Sequence, residues 1–291
     1  MSGGADATTL QQFGDGLSSL LSRLLEGVQV PYAASAGSQE NLRRLGGDQP
    51  GFAIVYAGDL FRAEAATLED PDAPGVLVVS HLFSVTAHLL TLRDSSVRET
   101  ADFIGRRIAV GQAGSATANA ARHYFEAKDL WGRFEAVFMP APQAAAALLE
   151  GRVDALWLFE EMPSVSVIQL ASKAPIRVLP LIETATFEWL SATHPYYTAM
   201  TMPGGLYPGI EEPVPTFRES ALWVASADIP QDIVTEALQV LYSESGLAFM
   251  HTVSETAREL RRENGLLGVV TPLHPGAEPF WHETDPPQTA H

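Results

Sequence analysis

The chain contains no cysteine and only two lysines, Lys128 and Lys173. The first absence removes thiol nucleophiles, thiolate metal ligands and disulfides, and it suits either redox compartment. The second leaves little for Schiff-base or phosphate-loop chemistry, which depends on a lysine. Positive charge is scarce overall: 18 Lys+Arg stand against 35 Asp+Glu, a formal net charge of −17. That field opposes nucleic-acid backbones and anionic membrane surfaces, so neither a nucleic-acid partner nor direct membrane insertion is expected. A small anionic ligand stays open, because a few local donors overcome an average field. No apolar run reaches the roughly 18 residues of a membrane span. The most apolar region, Val76–Leu92, is broken by Ser80, His81 and His88. The opening Met-Ser-Gly-Gly-Ala-Asp has no basic stretch ahead of an apolar core, so no export signal is read in it.

What is present is an ordinary globular composition, 46% apolar and 18% charged over 291 residues, which excludes wholesale disorder. The length predicts about two domains with cores large enough to need no metal or disulfide. Leu10, Phe13, Leu17, Leu20, Leu21, Leu24 and Leu25 recur at three- and four-residue steps and predict a first helix ending before Gly27. A short strand over 28–32, a helix from Ser38 to Leu45 and a strand from Phe52 to Ala57 follow. Long β-prone runs fill 75–92, and Ser96 is placed to cap a short helix reaching Ile104. A clean alternation comes next: strands at 107–111, 136–139, 154–159 and 176–181, helices at 115–127, 143–150 and 164–172. That rhythm predicts βαβ units on a parallel sheet, one block over about 104–195. Residues 195–215 carry five prolines and read as connector; a strand at 220–225, a helix at 231–242, a helical stretch to about Asn264 and a frayed polar tail from Asp285 complete the chain.

The segment Ile108–Thr117 runs strand, glycine turn, helix. A helix start presents free N–H groups and the positive end of its dipole, and Ser115 and Thr117 add hydroxyls, so the turn reads either as an anion cradle or as an ordinary Ser-capped βα turn. It is no Walker loop, since no lysine follows, and its glycine spacing departs from the dinucleotide fingerprint. Ser35–Asn41 and Gly3–Thr9 are further candidates, and three such turns suggest helix starts around a shared cleft. Glu160 and Glu161 follow the strand at 154–159. They read either as partners for a ligand ammonium or guanidinium or as a helix-start charge pair ahead of Pro163. The eight histidines lack zinc-helix spacing, no G-x-S-x-G elbow occurs, and no cofactor is expected. Trp157, Trp189 and Trp223 read as core or interdomain packing.

Several strings together resemble the TAXI (TRAP-associated extracytoplasmic immunogenic) solute receptors of TRAP transporters. They are Gly37–Leu42, Phe52–Val55 with Asp59, Ile104–Gly111 running into Gly114–Thr117, Gly151–Ala155, His194–Tyr197, Tyr207-Pro208-Gly209, and Pro272–Glu278. The resemblance spans nearly the whole chain in order, and the string Pro272-Leu273-His274-Pro275-Gly276-Ala277 is its most specific piece. It implies an α/β, two-lobed type II periplasmic-binding-protein fold, a Venus flytrap with parallel-rich sheets and two hinge crossings. The lobes would be 1–103 with 196–291, and 104–195. It further implies a periplasmic or extracytoplasmic, non-enzymatic receptor that takes a small carboxylate or amino acid, glutamate-like or 2-oxo-acid-like, to TRAP membrane permease subunits. Gly114, Ser115, Ala116 and Thr117 would hold the ligand carboxylate, with Ser38 and Tyr56 facing it. Gly4, Ser35, Tyr207, Glu160 and Glu161 complete the expected ligand-binding set.

Three departures from the family pattern stand out. Ala116 replaces a glycine and adds a methyl where backbone would approach ligand. Glu160 and Glu161 replace small residues and would repel a dicarboxylate. Thr8, Thr9 and Leu10 replace aromatics, and only Met1 and Ser2 precede the first glycines, where the family has a strand. Two other readings compete: a ligand-sensing module that signals to a partner protein, and an enzyme on the same scaffold recruiting Glu160, Glu161 and His88.

Overall fold

The computed structural model describes residues 1–5, 8–47, 51–67 and 75–282. The expected tail from Asp285, and Asp6 and Ala7 of the Gly3–Thr9 turn, lie outside these. Contacts divide the chain into two units, Met1–Phe83 with Ser220–His291, and Ser84–Glu219. The chain leaves the first unit inside one long strand and returns to it inside another. The expected block boundaries at 103/104 and 195/196 fall in connecting segments instead, since composition breaks mark loops and an uninterrupted strand shows no break.

In the first unit, α1 (Thr9–Leu24) begins at Thr8, whose side chain accepts the Gln11 N–H, and buries Leu10, Phe13, Leu17, Leu20 and Leu21. Leu24, expected on the same stripe, is 46% exposed. No strand forms over 28–32. The Val30 N–H donates to Ser22 Oγ at 2.9 Å and its carbonyl accepts from Ser18 Oγ, so α1 takes the groups a ladder would need. Pairing is confined to Ala33, bridged in parallel to Ser2, which also bridges Ala53. Met1–Gly3 therefore run alongside Phe52–Ile54, the Ser2 N–H donating to the Phe52 carbonyl and its carbonyl accepting the Ile54 N–H. Then come α2 (Ser38–Leu45), β1 (Phe52–Tyr56) and the unanticipated α3 (Ala57–Thr67). The 17-residue β2 (Val76–Leu92) carries the chain into the second unit.

There, a 3₁₀ turn at Thr100–Phe103, boxed by Glu99 and Asp102, replaces the helix expected from Ser96. β3 (Arg107–Ala109), α4 (Ala116–Ala127), β4 (Glu135–Val137), α5 (Ala141–Leu149), β5 (Ala155–Glu160), α6 (Val165–Ala171) and β6 (Ile176–Val178) follow as the alternation predicts. β3 lies parallel to both β4 and β5, whereas β5 and β6 run antiparallel to the second half of β2. α7 (Thr184–Thr193) and β7 (Tyr197–Met202) were not legible, and β7 pairs antiparallel with β8 (Val214–Ser226). Side-chain alternation along β5 sends Leu156 and Leu158 into one core with Ala144, Ala147 and Leu148 of α5 and Val167 and Leu170 of α6. Trp157 packs among Tyr124 and Phe125 of α4 and Phe217.

β8 returns the chain to the first unit, where its later residues pair antiparallel with β1, Phe52 opposite Ala225 and Tyr56 opposite Ala221. α8 (Gln231–Leu241) and α9 (Glu244–Val253) pack against α1, and α10 (Glu278–His282) anchors Trp281, whose Nε1 donates to the Val79 carbonyl at 2.9 Å. Among the described residues no helix is long and apolar enough to cross a membrane. Trp157 and Trp223 are fully buried as expected, but Trp189 is 45% exposed and meets His194 edge-on rather than joining a core.

Candidate functional site

The turn from β3 into α4 needs glycine at Gly111. Its φ is +92°, and a Cβ there would fall 2.8 Å from Thr117 Cγ2. Gly114 is also left-handed, φ +76°, with open space around it. Ser115 caps α4: its Oγ accepts the Ala118 N–H at 3.1 Å and donates to the Gln112 carbonyl at 2.7 Å. The first turn of α4 holds no acidic residue, so the positive end of its dipole has no carboxylate from that turn.

This helix start opens on a cavity of about 130 Å³ lined by Gly111, Gln112, Ser115, Thr117, Met139, Pro140, Ala141, Ala144, Leu156, Trp157, Leu158 and Glu160. It lies at the carboxyl ends of the parallel strands β3 and β5, where α/β sheets place ligands. Ser115, Thr117 and Glu160 are thus brought to one cavity. Gly114 lines an adjoining open hollow with Ser115, Gln112 and Phe138. Ala116 is exposed and Glu161 half-buried, and neither lines the cavity.

Glu160 is tied down. One carboxylate oxygen accepts from Ser164 Oγ at 2.7 Å, the other from Ser166 Oγ at 3.0 Å. Ser164 in turn caps α6 by accepting the Val167 N–H at 3.1 Å. Tyr207, 1% exposed, accepts the Ser164 N–H at 2.8 Å and meets His88 Nε2 at 2.8 Å. His88 Nδ1 faces the Thr86 carbonyl at 2.9 Å. Burial pushes His88 down to about 4, so the ring is neutral at pH 7, and burial, helped by the Glu160 charge, pushes Tyr207 up to about 12.

In the first unit the expected residues are held by internal bonds. Ser35 Oγ donates to the Gly3 carbonyl at 2.9 Å, Ser38 Oγ accepts the Tyr56 N–H at 3.0 Å, and the Gly4 carbonyl accepts from the Tyr32 hydroxyl at 3.1 Å. A Cβ on Gly4 would fall 2.6 Å from Thr8 Oγ1, so its glycine serves packing. Beside the start of α2, read as a second cradle, stands a carboxylate of the protein's own. Glu40 accepts the Ala36 N–H at 2.6 Å and pairs with Arg44 at 2.5 Å, and these contacts hold its pKa below the ordinary value. An acidic residue in the first turn of a helix is the signal that could have announced this. Asn41, fully buried, donates through Nδ2 to the carbonyls of Gly3 at 2.5 Å and Ile54 at 2.8 Å. Asn41 lies within the Gly37–Leu42 stretch, and nothing in its local sequence marks it as a clamp on two distant carbonyls. Among the described residues, no group of three or more His, Asp or Glu is placed to hold a metal ion.

The model of the NMT1-like family matches residues 1–284. The chain belongs to the NMT1-like family. This NMT1-like chain also shares its fold with solved periplasmic binding proteins. The sulfonate-binding protein SsuA of Methylobacillus flagellatus KT aligns over 91% of this chain and 76% of its own, with 14% identity and a TM-score of 0.52. The periplasmic aliphatic sulphonate binding protein SsuA of Escherichia coli aligns over 87% and 77%, with 14% identity and a TM-score of 0.51. A protein described as an L-cystine ABC transporter from Listeria monocytogenes aligns over 92% and 94%, with 16% identity and a TM-score of 0.50. At these identities the likeness is one of fold: α/β, of the periplasmic-binding-protein kind.

Proposed function

We propose that this NMT1-like protein is an extracytoplasmic solute receptor that captures a small carboxylate or amino acid and hands it to a TRAP-type permease, as the TAXI receptors it resembles do. The observation that carries the reading is the α4 start. Its first turn holds no acid, it is flanked by Ser115 and Thr117, and it opens on a small cavity at the carboxyl ends of parallel strands. The fold shared with sulfonate-binding proteins supports solute binding. Binding is favoured over catalysis because, among the described residues, no nucleophile–base pair faces the cavity: the Ser115 hydroxyl gives its proton to the Gln112 carbonyl and accepts an amide, and His88 is buried against Tyr207.

A thermal-shift screen of monocarboxylates, dicarboxylates and amino acids at millimolar concentration tests this, because a ligand specific for the native state raises Tm by mass action. The expected result is a shift with a subset of carboxylates that shrinks in Ser115→Ala. The absence of any shift across the screen overturns the receptor reading.

A further inference from the structure

Glu160 is the one carboxylate on a wall otherwise built from Leu156, Leu158, Ala141, Ala144 and Met139. Two serine hydroxyls occupy two of its roughly four acceptor sites, leaving others for a ligand. The bonds behind it run in one direction. The Thr86 carbonyl only accepts, so in the neutral His88 ring Nδ1 carries the proton and Nε2 accepts. The Tyr207 hydroxyl therefore donates to His88, and its oxygen accepts the Ser164 N–H. The Ser164 hydroxyl accepts from the Val167 N–H and gives its proton to Glu160. Each donor in this run of bonds has an acceptor, so the carboxylate is held in place by a satisfied network whose inner members, His88, Tyr207 and Ser164, are buried.

We propose that Glu160 determines ligand class: held by Ser164 and Ser166, with Ser164 positioned by the buried His88–Tyr207 pair, it selects a carboxylate ligand whose other end is cationic, an ammonium or guanidinium group, over one ending in a second carboxylate. This rests on the receptor reading and narrows it. Ser115 and Thr117 of the α4 start and Glu160 line the same cavity, so an anion at the first and a cation at the second are complementary, whereas a second carboxylate near Glu160 meets a fixed like charge. Glu160 is the selecting residue; His88 and Tyr207 are positioning residues.

The test uses the full chain and two pairs of equal length, 4-aminobutyrate against succinate and 5-aminovalerate against glutarate, with affinities measured by calorimetry. In the wild type the amino member of at least one pair binds about tenfold or more tighter than its dicarboxylate partner. Glu160→Gln abolishes that ratio. Tyr207→Phe and Ser166→Ala lower the ratio, whereas a merely structural role would weaken both members alike; Ser166, half-buried, provides the variant if Tyr207→Phe fails to fold. Equal or tighter dicarboxylate binding in the wild type, or an unchanged ratio in Glu160→Gln, overturns the inference and leaves the receptor reading standing. So does silence of all four compounds while another carboxylate shifts Tm. No shift with any carboxylate overturns both.

Discussion

The rings of His88 and Tyr207 meet edge-on, centroids 5.6 Å apart, with the tyrosine hydroxyl 2.8 Å from Nε2. Neither side chain exposes more than 1% of its surface. This makes acid stability a readout of the network. Burial holds His88 near pH 4 in the folded protein, against about 6.5 when unfolded. Between those values the unfolded chain binds more protons, so stability is complete above about pH 6.5 and falls as pH drops toward 4. The loss amounts to about 3 kcal/mol in order of magnitude. Urea denaturation at pH 7, 6, 5 and 4.5 should show that slope, and His88→Gln should flatten it. A residual slope should remain, because burial also lowers the pKa of His274. An unflattened slope in the variant would show that His88 titrates freely.

Gly111 and Gly114 sit in the same turn with left-handed φ, yet they should respond differently to alanine. At Gly114 a Cβ meets open space, so Gly114→Ala costs the backbone strain alone, about 1 kcal/mol. At Gly111 the same strain adds to a 2.8 Å approach to Thr117 Cγ2, so Gly111→Ala should cost about 2–4 kcal/mol. Thr117→Ser removes that methyl and should recover part of the loss in the double variant. Denaturation of the two single variants and the double checks this coupling, and additive effects would place the clash elsewhere.

The legible parts were those encoded locally. Strand, glycine turn and Ser cap lie within ten residues at 108–117, so the α4 start could be read directly, and the alternation through Val178 followed from period and spacing. The strand over 28–32 failed because Ser18 and Ser22, a helix away, bond Val30. The unit boundaries fall inside β2 and β8, where nothing in composition changes. Glu160 was singled out, but its two orientations stayed open until Ser164 and Ser166 appeared beside it. The His88–Tyr207 bond joins residues 119 apart, a distance no periodicity spans.

Asn41 is a polar residue on the buried side of α2, and its single amide group holds two carbonyls. Replacement by alanine leaves the Ile54 carbonyl without this donor and the Gly3 carbonyl with Ser35 alone. An unsatisfied buried acceptor costs about 1–3 kcal/mol, and the vacated space adds to it, so Asn41→Ala should lose about 2–4 kcal/mol. Asn41→Asp should lose more, since a carboxylate would face two carbonyl oxygens with nothing to donate. Equilibrium denaturation at pH 7 ranks the two. An aspartate variant more stable than the alanine variant would mean the side chain is turned away from Gly3 and Ile54.

The string most specific to the family resemblance, Pro272–Ala277, raises the question of whether it binds or packs. Its contacts favour packing. The His274 N–H donates to the Val78 carbonyl at 2.8 Å, and its Nδ1 accepts the Gly276 N–H at 3.1 Å. The Gly276 carbonyl accepts from Thr235 Oγ1 at 2.7 Å, and a Cβ on Gly276 would stand 2.2 Å from the Gln231 carbonyl oxygen, a backbone atom at the start of α8. Such an overlap is relieved only by moving α8 or the string itself. Gly276→Ala should therefore destabilise by about 3 kcal/mol or more, while the folded fraction keeps wild-type affinity for any ligand found in the screen. Denaturation and calorimetry on the same preparation separate the outcomes: unchanged stability with lost affinity would move the string from the packing of α8 to the binding of solute.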